Sequence, residues 1–115
     1  LEAMREKIGE KAFNMAGLTD LKELWAMAGL SEFVVTVDSG PMHIAAASGA
    51  PVVALFGPTA PWRTGPYGKG HAIVRKGLEC SPCFRKKCPE PRCMDGITVD
   101  DVIIALEGVL KGRYR

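Results

Sequence analysis

Residues 38–43, read as Asp-Ser-Gly-Pro-Met-His, follow directly on an apolar run at 33–37. Asp38 can accept hydrogen bonds from sugar hydroxyls, Ser39 adds a hydroxyl, and Gly40 lets an anion approach the backbone with no Cβ in its way. Pro41 suits the first position of a helix, where its missing N–H costs nothing and its φ is already helical. The N–H groups of Gly40, Met42 and His43 would then point out of a helix start, where the dipole favours an anion such as a diphosphate. Asp38 would repel that anion, so its better partner is a sugar beside it. Taken alone, the same residues also read as a capped strand-to-helix turn with a structural histidine.

A second group is Cys80, Cys83, Cys88 and Cys93, all four cysteines of the chain. Four thiolates in a short window can hold zinc tetrahedrally, although Cys88 and Cys93 are spaced more loosely than a CxxC pair. Free thiols and disulfides are the other readings, and disulfides require an oxidising compartment. Arg85, Lys86, Lys87 and Arg92 make this loop locally basic. It could face anionic lipid head groups, or be a solvated charged loop.

These groups need elements to hold them. Helix patterns cover 1–11, 19–29 and 98–112, the last opening on a Thr98–Asp101 capping box. Thr19 or Asp20 is expected to cap the second, with Leu21, Leu24, Trp25 and Ala28 on its buried face and Gly29 at its end. The continuous apolar runs 33–37 and 52–56 suit parallel strands covered on both faces, and 71–75 is a shorter strand. A brief extended piece is expected at 12–17. A short helix at 41–48, closed by Gly49, links the first two strands. In the final helix Val102, Ile103, Leu106, Val109 and Leu110 are expected inward. Residues 57–70 hold three prolines and four glycines and form a shaped loop. Its Thr59 is assigned to the ligand cleft, with Trp62, Arg63, Thr64 and Tyr67 as further candidates. Alternating strands and helices imply an α/β domain, a Rossmann-like parallel sheet with flanking helices, whose ligands lie beyond the carboxyl ends of the strands.

The chain has 115 residues, 47% hydrophobic and 24% charged, with a formal net charge of +2. That length allows one domain, and the near-balanced charge gives no footprint for nucleic acid. No apolar run approaches the ~20 residues of a membrane span. No signal peptide is expected ahead of the first helix. The chain begins at Leu1, which suggests excision from something longer.

The block VVTVDSGPMHIAAASGAPVVALFGPTAPWRTGPYG, with NMAGLTDLKEL before it and the cysteine cluster after it, resembles the ADP-heptose:lipopolysaccharide heptosyltransferases. The resemblance implies the GT-B architecture, two Rossmann-like domains facing across a cleft. Residues 1–115 would be the C-terminal, nucleotide-sugar-binding half. It implies transfer of heptose from ADP-heptose to the lipopolysaccharide inner core with inversion, at the cytoplasmic face of the inner membrane and without a catalytic metal. The base would lie in the N-terminal domain, leaving no catalytic residue in this chain and that domain as its partner. By the same resemblance Asp38 holds the donor sugar, Ser39 and Gly40 form the donor turn, His43 lies one helical turn further in, and Thr19 sits where the family contacts adenine. A lysine segment used by family members is missing, so the donor site is expected to be incomplete. A different class of reading is a zinc-stapled module contacting nucleic acid through its basic cysteine loop.

Overall fold

The computed structural model describes residues 2–76 and 92–113. Helix α1 (Glu2–Ile8) is followed by α2 (Leu21–Leu30), β1 (Val34–Val37), α3 (Gly40–Ala47), β2 (Val52–Leu55), α4 (Pro61–Thr64), β3 (Ala72–Val74), α5 (Arg92–Asp95) and α6 (Val99–Arg113). The three strands form one sheet in the order β1-β2-β3. Both pairings are parallel, with Val34 opposite Val52 and Val53 opposite Ala72. Parallel neighbours need a crossover, which α3 supplies between β1 and β2. The Rossmann-like reading therefore holds.

Local chemistry explains where the helices stop and start. Asp20, rather than Thr19, caps α2: its Oδ1 accepts from Glu23 N–H at 2.8 Å, and Glu23 Oε1 accepts from Asp20 N–H at 3.2 Å. That reciprocal pair satisfies two of the orphan donors at a helix start. α2 runs past Gly29 to a Ser31 cap. Gly49 stands just beyond α3 with φ 91°, a left-handed conformation that glycine adopts without a Cβ penalty. Thr98 and Asp101 do form the expected box, with N–H to side-chain distances of 2.9 and 3.1 Å. The extended piece expected at 12–17 forms no strand.

One face of the sheet carries the core. Ala28, Met42, Ala45, Val52, Ala54 and Phe56 pack together, with Val34 and Ala46 against them. Alternation puts Val35, Val37, Val53 and Val74 on the opposite face. There α6 packs against β3 and β2, and Val53 and Val74 are buried. Val35 and Val37 remain 45% and 49% exposed. The expectation that the first strand is covered on both faces is thus corrected: within the described residues β1 is an edge strand beyond the reach of α6. The same applies to Leu21 and Trp25, expected inward but exposed, and to Ile103 of α6. Only Leu24 and Ala28 of the expected α2 stripe turn toward protein.

Candidate functional site

All strands run the same way, so the residues after Val37, Leu55 and Val74 leave the sheet at one edge. α2 and α3 finish together at the other edge, where a Cβ on Gly29 would lie 3.5 Å from Ser48 O. Their starts therefore share the carboxyl edge. This brings the half-buried Thr19, the Asp38–Gly40 turn and the loop after β2 to one side of the molecule.

The turn differs in detail from the sequence expectation. Ser39 is the N-cap of α3 in an extended conformation, φ −163° and ψ 170°. Its Oγ donates back to Val37 O at 3.1 Å and caps no N–H of the helix. Met42 N–H, expected to be open, donates to Ser39 O at 3.2 Å. The Met42 side chain is wholly buried. Met42 thus anchors the turn in the core, because closing a first turn of helix consumes that donor. His43 is exposed.

Gly40 is different. Nothing lies within 4 Å of where its Cβ would stand, and its φ is outside the left-handed region. Neither packing nor backbone conformation requires glycine there. The bare backbone opens on solvent at the start of α3, where a phosphate would meet N–H groups.

Asp38, half-buried at the end of β1, is tied to the loop after β2. Thr64 Oγ1 donates to Asp38 Oδ2 at 3.1 Å, joining residues 26 apart. The loop contains α4, a turn of helix the sequence pattern did not predict. Its start rests on Ala60, 1% exposed, whose carbonyl accepts from Arg63 and Thr64 N–H at 3.0 and 3.1 Å. Trp62 of α4 is exposed, with the Arg75 guanidinium 5.3 Å over its ring, a cation–π pair linking the loop to the end of β3. Thr59 is half-buried in the same loop. Tyr67 departs from this group, because it lines a groove at the opposite edge.

The cysteine loop meets this edge at one described point. A Cβ on Gly57, just past β2, would stand 2.5 Å from Met94 Sδ and 3.1 Å from Cys93 Sγ. Glycine there makes room for α5. Cys80, Cys83 and Cys88 lie outside the described residues. Among the described residues no cluster of three or more His, Cys, Asp or Glu is placed to hold a metal. Behind the edge, Lys76 Nζ lies 3.0 Å from Asp101 Oδ2. The Thr98 backbone N–H and then Lys76 hold the Asp101 carboxyl below its ordinary pKa.

A groove of about 800 Å³ opens at the amino edge, between the ends of α3 and α6, and includes Ala46, Pro51, Lys69, His71 and Val109 in its lining. Its imidazole is already engaged. His71 Nδ1 accepts from Val52 N–H at 3.0 Å, which leaves Nε2 to donate to Tyr67 O at 3.1 Å. Size favours this groove as a binding site. Chemistry favours the carboxyl edge, where a carboxylate oxygen and open backbone face outward.

A model of glycosyltransferase family 9 (heptosyltransferase) matches residues 1–94. Lipooligosaccharide heptosyltransferase 2 of Campylobacter jejuni is 34% identical over 107 residues, which cover 90% of this chain and 34% of that protein. Lipopolysaccharide heptosyltransferase 1 of Pseudomonas aeruginosa is 36% identical, over 75% of this chain and 26% of that protein. Lipooligosaccharide heptosyltransferase 2 of Haemophilus influenzae is 43% identical over 64% of this chain and 21% of that protein. The chain therefore spans between about a fifth and a third of the length of these relatives. No solved structure matches it. These matches lend no support to the nucleic-acid reading.

Proposed function

We infer, because this chain belongs to glycosyltransferase family 9 (heptosyltransferase), that it is the donor-binding part of an enzyme transferring heptose from ADP-heptose to the lipopolysaccharide inner core. In this reading the donor diphosphate sits at the start of α3 against Gly40. Asp38 accepts hydrogen bonds from the sugar, and Ser39, His43, Thr19 and Thr59 line the same edge. The observation that carries the reading is the unoccupied space at Gly40: a glycine that the fold does not need, at a helix start, beside a carboxylate. Inversion at the sugar requires a base on the acceptor side, which this reading assigns to an opposing N-terminal domain. The acceptor would be presented at the cytoplasmic face of the inner membrane. Among the described residues no helix is long and apolar enough to cross a membrane.

The test is nucleotide binding by the complete protein. Gly40→Val puts a branched side chain into the open space, and the fold is expected to stay intact because its Cβ would meet no neighbouring segment within 4 Å. It is expected to weaken ADP binding about tenfold or more while stability changes by no more than about 0.5 kcal/mol. Unchanged ADP affinity in that variant would move the diphosphate away from this turn. Asp38→Ala is expected to weaken ADP-heptose and to spare or tighten ADP, since it removes sugar contacts and one repulsive charge. Losing one or two hydrogen bonds would cost roughly 1–3 kcal/mol.

A further inference from the structure

We propose that Thr64 is a positioning residue for the donor sugar, fixing through its hydroxyl which oxygen of Asp38 faces the ligand. The inference rests on the reading of Asp38 as the sugar-binding carboxylate. A carboxylate at a strand end has two rotatable bonds and two equivalent oxygens. Unrestrained, it must be ordered each time a ligand binds, which weakens binding. Here one oxygen is already engaged, with Thr64 Oγ1 donating to Oδ2 at 3.1 Å. Oδ1 is then the oxygen left with full accepting capacity.

The donor is held in turn. Thr64 is β-branched, so its χ1 has few choices, and its backbone N–H is bound to Ala60 O at 3.1 Å. Its hydroxyl has a single proton and two acceptors in range, Asp38 Oδ2 at 3.1 Å and Ala60 O at 3.3 Å. A charged acceptor at the shorter distance wins that competition. The end of α4 is also closed, because Gly65 N–H donates to Pro61 O at 2.9 Å.

The experiment compares affinities for ADP-heptose and ADP in the complete protein for Thr64→Val, Thr64→Ser, Asp38→Ala and the Thr64→Val/Asp38→Ala pair. Thr64 is exposed, and valine keeps its shape, so circular dichroism should match the parent protein. Thr64→Val is expected to weaken ADP-heptose roughly three- to tenfold and leave ADP unchanged. Thr64→Ser, which keeps the hydroxyl, is expected to restore most of the loss. In the Asp38→Ala background Thr64→Val should have no further effect, since its action passes through that carboxylate. If Asp38→Ala lowers only ADP-heptose affinity but Thr64→Val leaves it unchanged, the positioning role is overturned and the sugar assignment stands. Additive losses in the double variant would also overturn it, by showing that Thr64 acts independently of Asp38. Equal weakening of ADP and ADP-heptose by Asp38→Ala would overturn the sugar assignment, and the inference with it.

Discussion

The two edges of the sheet are built from similar materials and handle their polar groups in opposite ways. At the amino edge, both nitrogens of His71 are occupied, one by Val52 N–H and one by Tyr67 O. Val34 N–H is taken by Pro51 O at 2.9 Å. The groove there is roomy, but its lining, Lys69 and His71 aside, is mostly small or apolar residues. At the carboxyl edge, Asp38 has one oxygen committed, Gly40 leaves its backbone bare, and His43 is exposed. The contrast teaches that unspent hydrogen-bonding capacity, rather than cavity volume, marks where a polar ligand can be held.

Substitutions can break or sharpen this contrast, beginning with the largest effect. Phe56 is wholly buried under the carboxyl edge, and Phe56→Ala is expected to cost roughly 3–5 kcal/mol. Denaturant unfolding should register that loss, and nucleotide binding should fall with it. An effect below about 1 kcal/mol would mean that the edge is not supported by this core.

Gly57→Ala acts more locally. Its new methyl must displace Met94, expected to cost about 1–3 kcal/mol as the overpacked contact relaxes. Thermal unfolding checks this, and Gly57→Ala should lose more stability than Gly40→Val, since only Gly57 has neighbours at the Cβ position. Equal losses in the two variants would remove the distinction between a glycine required by packing and one that leaves room for a ligand.

His71→Phe probes the other edge. It leaves the Val52 N–H without its acceptor, at a cost of about 1–3 kcal/mol. ADP affinity should be unchanged, because His71 and the Asp38 turn lie at opposite ends of the strands. A loss of ADP affinity in a protein that remains folded would put the nucleotide in the amino-edge groove instead.

The smallest effect is electrostatic. Asp101 titrates below its ordinary value because the Thr98 N–H and Lys76 favour the carboxylate. A depressed folded pKa contributes stability that is present above the unfolded pKa and is lost as pH falls through the folded one. Unfolding measured from neutral pH down through the acidic range should show a small loss below the ordinary carboxylate pKa, and Asp101→Asn should flatten that portion of the curve. Salt should shrink the Lys76 contribution, since the pair is partly exposed.

Much of the architecture was legible in the residues. Apolar runs of strand length, the Thr98–Asp101 box, Gly49 and the Pro41 start each encode a local preference, and local preferences survive folding when packing agrees with them. The Asp-Ser-Gly turn was equally legible as a strand-to-helix junction. What the pattern could not contain was the relation between distant segments. Val35 and Val37 read as buried because an apolar run does not say how far a covering helix reaches. Leu21 and Trp25 fit a helical stripe, but the width of the buried face is set by α3 and the sheet. Met42 N–H looked open until the first turn of α3 closed on Ser39 O. The bridge from Thr64 to Asp38 spans 26 positions, and no periodicity links residues so far apart. It exists because parallel strands deliver both loops to one edge. The sequence by itself determined the elements, their caps and the chemistry of the turn. Only the tertiary structure decided which of those polar groups were spent on the fold and which remained open, because that depends on neighbours brought together through space.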